Sequence, residues 1–339
     1  MSSNKQLILL GLMGKAEASY GGGGALSAAT DGILMRQAAE ATRSYRVAGA
    51  RPFQIASAGP GRRVRPGGRI ITFPLSTEFR GLQSAYGAST FLPDGLHTMM
   101  LVSGHSATFS AAPTPQWTFA PISGPTWTSL VAEGYSRGQK WPMIGGYADW
   151  GFMVDVEQEA TYWDFPISAM LSAEPTDVAA PNITWYDGTK LPPEPGGVTV
   201  TMGLFTAPIV SKITGAKNQN IFPRGAITSA GRLAGFGMGR ARRMEVVVEF
   251  EAGVLHTSSP WTTASLINPY ELQNQSQGVL LEFQVNPSVQ YNRWKFSAPQ
   301  AYCTGVEEIG NEAAALWRAT FECAVSAPGA QDDYTCLVN

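Results

Sequence analysis

The chain has 339 residues, of which 44% are hydrophobic and only 15% charged, with a formal net charge of −2. So balanced a charge excludes a protein that holds nucleic acid through overall basicity. The 37 glycines and 23 prolines favour many short strands and turns, the length suits two ordinary domains, and a polar, weakly charged surface suits a protein packed against copies of itself.

The leading Leu7–Met13 run is too short to span a membrane and opens a strand over residues 6–14, so folding in a cytoplasm is expected. The glycine run Gly21–Gly24 follows, then a short strand at Ile33–Met35. The segment Arg36–Arg69 is basic: it carries Arg43, Arg46, Arg51, Arg62, Arg63 and Arg65, with Glu40 its only acid. It feeds a strand over 69–79. Asp94 and Gly104 bracket an amphipathic stretch that predicts one helix. Strands resume at 116–121, 126–135 and 151–171. Within the last, Phe152, Val154 and Val156 alternate inward, which sets Asp155, Glu157 and Glu159 on the opposite face as an acidic wall.

The proline-rich stretch 181–195 reads as a linker and divides the chain into domains at 1–195 and 196–339. The second half repeats the plan. A strand opens it at 198–204 and another runs toward Ile213. A second basic segment, Lys212–Arg243, carries Lys217, Arg224, Arg232, Arg240 and Arg242 and contains no acid. A strand follows at 244–252, then a helix over 269–275 capped by Asn268, and strands at 279–285, 294–306 and 314–325. The fold class is mostly β: two tandem sandwich- or barrel-like domains, each with one short helix and a long basic loop. Glycine, serine and arginine in those loops predict disorder in the isolated chain.

Catalytic chemistry is thin. The three histidines, His97, His105 and His256, share no helix face, and Cys303, Cys323 and Cys336 stand at no metal-ligand spacing. Paired strands would allow Cys303 and Cys323 to be neighbours, but a reducing compartment is the expectation. Gly235–Arg240 lacks the last glycine of a dinucleotide loop. No cofactor, metal or enzymatic activity is expected. The nine tryptophans and the paired carboxylates keep open a monomeric glycan-binding or glycan-cleaving protein, and a capsid decoration protein is the other alternative.

The order of these pieces resembles the major tail tube proteins of long-tailed, siphovirus-type bacteriophages. The opening Leu9–Gly21, with its E-x-x-Y-G pattern at Glu17, Tyr20 and Gly21, resembles the start common in these proteins. The helix running into Ser103–Phe109, and the strand pair 147–174 with its exit Pro181–Tyr186, resemble later parts of their domain. The resemblance implies a subunit that closes into rings, which stack into a tube for DNA passage. A long loop between two strands would reach the next ring, matching the two basic segments, with Arg43, Arg46, Arg51, Arg62, Arg63, Arg65, Lys217, Arg224, Arg232 and Arg240 as stacking residues. Asp155, Glu157, Glu159, Glu245, Glu249 and Glu251 would be candidates for a channel wall that repels DNA. Two such domains in one chain imply a three-membered ring with pseudo-six-fold symmetry, a hexamer being the alternative. The implied partners are the chain itself, the tip, terminator and tape-measure proteins of a tail, and DNA in transit. No membrane is implied, and the expected location is the virion tail, assembled in a host cytoplasm.

Overall fold

The computed structural model describes residues 6–36, 39–45, 48–54, 60–65, 69–82, 84–122, 127–158, 161–185, 193, 197–203, 205–206, 209–224, 235–239, 243–251, 269–286, 288–310, 316–327 and 332–339. The first half contributes β1 (Gln6–Leu9), β2 (Gly11–Ala16), β3 (Ala39–Tyr45), β4 (Ala48–Gln54), β5 (Pro60–Arg65), β6 (Arg69–Phe73), β7 (Ser76–Glu78), helix α1 (Leu96–Val102), β8 (His105–Ser110), β9 (Gln116–Pro121), β10 (Leu130–Ser136), β11 (Gln139–Ala148), β12 (Gly151–Asp155), β13 (Tyr162–Asp164), β14 (Ile167–Leu171) and β15 (Thr176–Asp177). The second contributes β16 (Thr199–Met202), β17 (Phe205–Thr206), β18 (Ile209–Ala216), β19 (Ile221–Arg224), β20 (Gly235–Met238), β21 (Glu245–Glu251), β22 (Val279–Val285), β23 (Trp294–Glu308), β24 (Leu316–Ala324) and β25 (Thr335–Val338).

Period-two patterning makes these strands. In β21 the residues Val246, Val248 and Phe250 are wholly buried while Val247 and Glu249 between them, and Glu245 and Glu251 at the ends, face outward. β22 repeats this with Val279, Leu281, Phe283 and Val285. Helix α1 is short because glycines bound it: Gly95 precedes it at φ 79°, and Gly104 follows at φ 78° with its N–H on the Leu101 carbonyl at 3.1 Å.

Every described strand pair is antiparallel, and two large sheets result. The first runs β1-β3-β6-β14-β11-β10-β2. Its two end strands are separated in the chain only by Leu10, whose N–H bonds the Tyr135 carbonyl at 2.8 Å. One continuous strand thus serves both edges, and the sheet curls closed. The second runs β17-β16-β22-β23-β24-β21-β18-β12-β13-β7, with β25, β9 and β8 joined through β23.

The two halves share one topology. Numbering six strands of each half along the chain (β2, β3, β6, β10, β11, β14 and β16, β18, β21, β22, β23, β24), both sheets have the lateral order 1-4-5-6-3-2. Between strands 2 and 3 each half inserts a separate two-stranded hairpin, β4–β5 in the first and β19–β20 in the second. Between strands 3 and 4 each inserts a helical turn: α1, and a single 3₁₀ turn at Pro269–Leu272.

The repeat is nonetheless not two separately packed domains, as a boundary at 195 would have it. β6, β11 and β14 lie in the first sheet, and their continuations β7, β12 and β13 lie in the second, where β12 pairs with β18. At the crossing, Leu75 and Phe165 exchange N–H···O bonds of 3.2 and 2.6 Å, and Asp149 donates to the Pro166 carbonyl at 2.9 Å. Buried aromatic rings fill the junction. Trp150 stacks on Tyr334 at 5.7 Å, and Phe152 meets Phe283, Trp294 and Phe296 at 5.4 Å each. One hydrophobic cluster draws from both halves.

Several expected elements differ in detail. The strand over 69–79 breaks at Pro74, which has no N–H for a ladder, and the run 151–171 is three strands. Residues 33–35 form no strand; beside them only a Met13–Gly32 bridge is made. Asp94 does not cap α1, because Gly95 takes the cap position with no side-chain cap bond. The second helix is the four-residue 3₁₀ turn, and its expected cap Asn268 lies outside the described residues. The first basic segment is largely strand, since β3 finds partners in β1 and β6.

Candidate functional site

The two basic hairpins occupy the same point of the repeated topology, and the second shows how one is held. Its strand β20 places Phe236 and Met238 in a small buried cluster with Tyr147, flanked by Ile70, Met170, Ile221 and Trp127. The second half's hairpin thus lies on the outward face of the first half's sheet.

A clamp at the start of the chain fixes it there. The hydroxyl of Tyr20 accepts the Phe236 N–H at 2.5 Å, donates to the Gly145 carbonyl at 3.4 Å, and its ring stacks on Tyr147 at 5.9 Å. A Cβ on Gly235 would stand 1.9 Å from that hydroxyl, and one on Gly145 would stand 2.9 Å from it. Glycine at both positions, each at positive φ, is therefore what lets the ring in. Burial raises the Tyr20 pKa and pushes that of Tyr147 up to about 12, so both remain hydroxyl donors at neutral pH. Glu17 builds the turn beneath. Its carboxylate accepts the N–H groups of Gly21 (2.9 Å), Gly23 (3.4 Å) and Gly145 (3.2 Å) and the Ser129 hydroxyl (2.5 Å). The E-x-x-Y-G pattern is in this chain a device for seating the second hairpin.

The base of that hairpin is anchored by Lys217. Predicted as an exposed stacking residue, it is instead 2% exposed, with Nζ donating to the carbonyls of Ser103 (2.8 Å) and Gly104 (3.1 Å) just past α1. Burial lowers its pKa to about 7, against the pull of Asp149 and Asp333. Asp149 accepts the backbone N–H groups of Trp150 (2.8 Å) and Gln219 (3.0 Å). Composition placed Lys217 in a solvated arm; the ladder of β18 carries it into the core. His105 lies beyond, buried and held neutral by desolvation, between Ser103 Oγ at 3.0 Å and Tyr334 Oη at 2.7 Å.

Of the other predicted basic residues, Arg224 is exposed at the end of β19, and Arg51, Arg62, Arg63 and Arg65 belong to β4 and β5. Arg43 belongs to β3, opposite Ile71 of β6, so it is part of the sheet and not of the hairpin. Arg46, Arg232, Arg240 and Arg242 lie outside the described residues.

The acidic wall is not one strand face. β12 ends at Asp155 and the chain turns, leaving Val156 61% exposed and Glu157 exposed; Glu159 lies outside the described residues. Asp155, Lys212, Glu249, Arg318 and Glu307 instead stand opposite one another across β12, β18, β21, β24 and β23. Ion pairs of 3.0, 2.8 and 2.7 Å link Asp155–Lys212, Glu249–Arg318 and Glu307–Arg318. For Asp155, burial raises the pKa, but the Glu157 N–H and Lys212 outweigh it and hold the carboxyl low. Glu245 remains exposed and Glu251 half-buried on the same outward face.

No protein-family model and no curated protein matches this chain. Among the described residues no group of three His, Cys, Asp or Glu could hold a metal ion, and no helix is long and apolar enough to cross a membrane. His97 packs among the rings of Phe91, Trp117 and Phe119, its pKa lowered to about 4 by burial, and His256 lies outside the described residues. The three cysteines are free thiols; in the ladder Cys303 stands opposite Phe321, and Cys323 opposite Ala301. Five of the nine tryptophans, Trp117, Trp141, Trp150, Trp163 and Trp294, are buried core. The Tyr20 clamp escaped the sequence reading as a physical device. Its signal was a carboxylate four and six residues before glycines that must adopt positive φ.

Proposed function

We propose that this chain is a structural subunit of a long-tailed bacteriophage, self-assembling into stacked rings that form the tail tube through which DNA passes. The observation that carries the reading is the repeated strand order, with a basic hairpin inserted at the same point of each half. A chain holding two equivalent units builds a six-fold pattern from three copies. The resemblance of the opening pattern and of the element order to tail tube proteins supplies the functional class. Function then resides in assembly, with the exposed acid Glu157 a candidate for a channel surface from which DNA is repelled.

Negative-stain electron microscopy of the purified chain, before and after concentration, tests this. Stacked rings with a central hole are expected, and their rotational symmetry distinguishes three copies from six. A chain that stays monomeric at every concentration refutes the reading. Replacing residues 46–68 by a short glycine link keeps β3 and β6 paired and should leave a folded protein that makes no tubes. Tubes of normal length from that variant would remove the first hairpin from the mechanism.

A further inference from the structure

The two halves are equivalent in topology but not in how their outward faces are covered. On the first sheet, Ile144, Met170 and Ile70 form a row across β11, β14 and β6, and the β19–β20 hairpin packs against Met170 and Ile70 of it. The corresponding row of the second sheet is Tyr302, Glu322 and Glu245 across β23, β24 and β21. In both sheets the row lies at the end of the strand nearest its hairpin, beside a buried residue (Ile71 or Val246) of the inward face. No described hairpin seats on the second row: Glu245 is exposed, and Glu322 and Tyr302 are half-buried. Glu245 and Glu322 are also like charges directly opposite each other, an arrangement that costs stability unless a cation joins them. Arg243 approaches Glu322 only at 3.6 Å, with the Arg243 side chain 60% exposed.

The covering elements differ in the matching sense. The hairpin that lies on the apolar row brings Ile221, Phe236 and Met238. The other hairpin, β4–β5, forms a two-stranded sheet of its own and contains Arg51, Arg62, Arg63 and Arg65 with no acid. We propose that the β4–β5 hairpin of one copy seats on the second sheet of a neighbouring copy, against Tyr302, Glu322 and Glu245, joining copies head to tail within one ring. This repeats between copies the contact that β19–β20 makes inside one chain. It rests on the self-assembly reading, and it assigns the first hairpin to closing a ring instead of stacking one ring on the next.

Charge reversal in the full chain tests the pairing. Glu245→Lys with Glu322→Lys, and separately Arg62→Glu with Arg63→Glu, should each raise the concentration needed for rings about a hundredfold. All four changes together should restore rings, since the two reversed positions of the hairpin are then negative and the two of the row positive. Mass photometry and negative-stain images read the species. Monomers from each pair of changes and rings from the fourfold variant are the expected results. Isolated single rings from the paired variants would overturn the inference by moving the hairpin to the stacking contact, and the tail-tube reading would stand. Monomers from the fourfold variant, with an unaltered circular dichroism spectrum, would also overturn it. A wild-type chain that never associates would remove the self-assembly reading, and this inference with it.

Discussion

Replacing Lys217 by methionine isolates the pH dependence that its burial imposes. In the folded chain the pKa is lowered from 10.5 to about 7 because the ammonium is desolvated. Between these values the unfolded chain holds the proton and the folded chain releases it, so unfolding takes up a proton and stability rises with pH. For a folded value near 7, the gain between about pH 7 and about pH 8.5 is about 1.6 kcal/mol. The window stops there because the buried thiols of Cys323 and Cys336, ordinarily 9.0 and pushed up by burial, work in the opposite direction at higher pH. Lys217→Met also strips the Ser103 and Gly104 carbonyls of a donor, a cost independent of pH. Urea unfolding followed by tryptophan fluorescence, at low chain concentration, should show wild type gaining about 1.6 kcal/mol over the window and the variant gaining none of it. Equal gains would refute the claim that a titrating lysine lies under the second hairpin.

Tyr20→Phe leaves the Phe236 N–H without its acceptor and should destabilise the docked hairpin by about 1–2 kcal/mol, seen as faster hydrogen exchange at Phe236; unchanged exchange would remove Tyr20 from the clamp. Gly235→Ala drives a methyl into the same hydroxyl and should loosen the hairpin equally. Combined with Tyr20→Ala it should cost clearly less than the sum of the two, and strict additivity in a double-mutant cycle would contradict the contact. Arg318→Ala frees Glu249 and Glu307 on a half-exposed face, so chemical denaturation should detect a loss of only about 0.5–1 kcal/mol, shrinking in about 0.5 M salt. A larger, salt-insensitive loss would mean that the row is structural.

Much of this was legible in the sequence wherever one side chain in two is apolar. Glu245–Glu251 and Val279–Val285 announce their strands, and Gly104 marks the end of the α-helix, though its start was read one residue early at Asp94. The repeat was legible as two basic segments each preceding a strand. The packing between the halves was not, because β12 and β13 are continuations of strands that serve the other sheet, and local alternation carries no label of sheet. Lys217 was misread for a related reason: composition gives the charge of a segment, whereas only the path of β18 shows which cation is drawn inside. The acidic row at 155–159 failed where Asp155 ends its strand, since alternation fixes a face only while the backbone stays extended.

The three strands that pass from one sheet into the other have a mechanical consequence. Sliding the halves past each other would break the backbone ladder between β12 and β18 together with the aromatic packing at the junction. In a three-copy ring, the wall would therefore contain three stiff joints inside chains alternating with three softer seams between them. A tail of such rings would bend at the seams, with a flexural signature of three-fold rather than six-fold order around its axis.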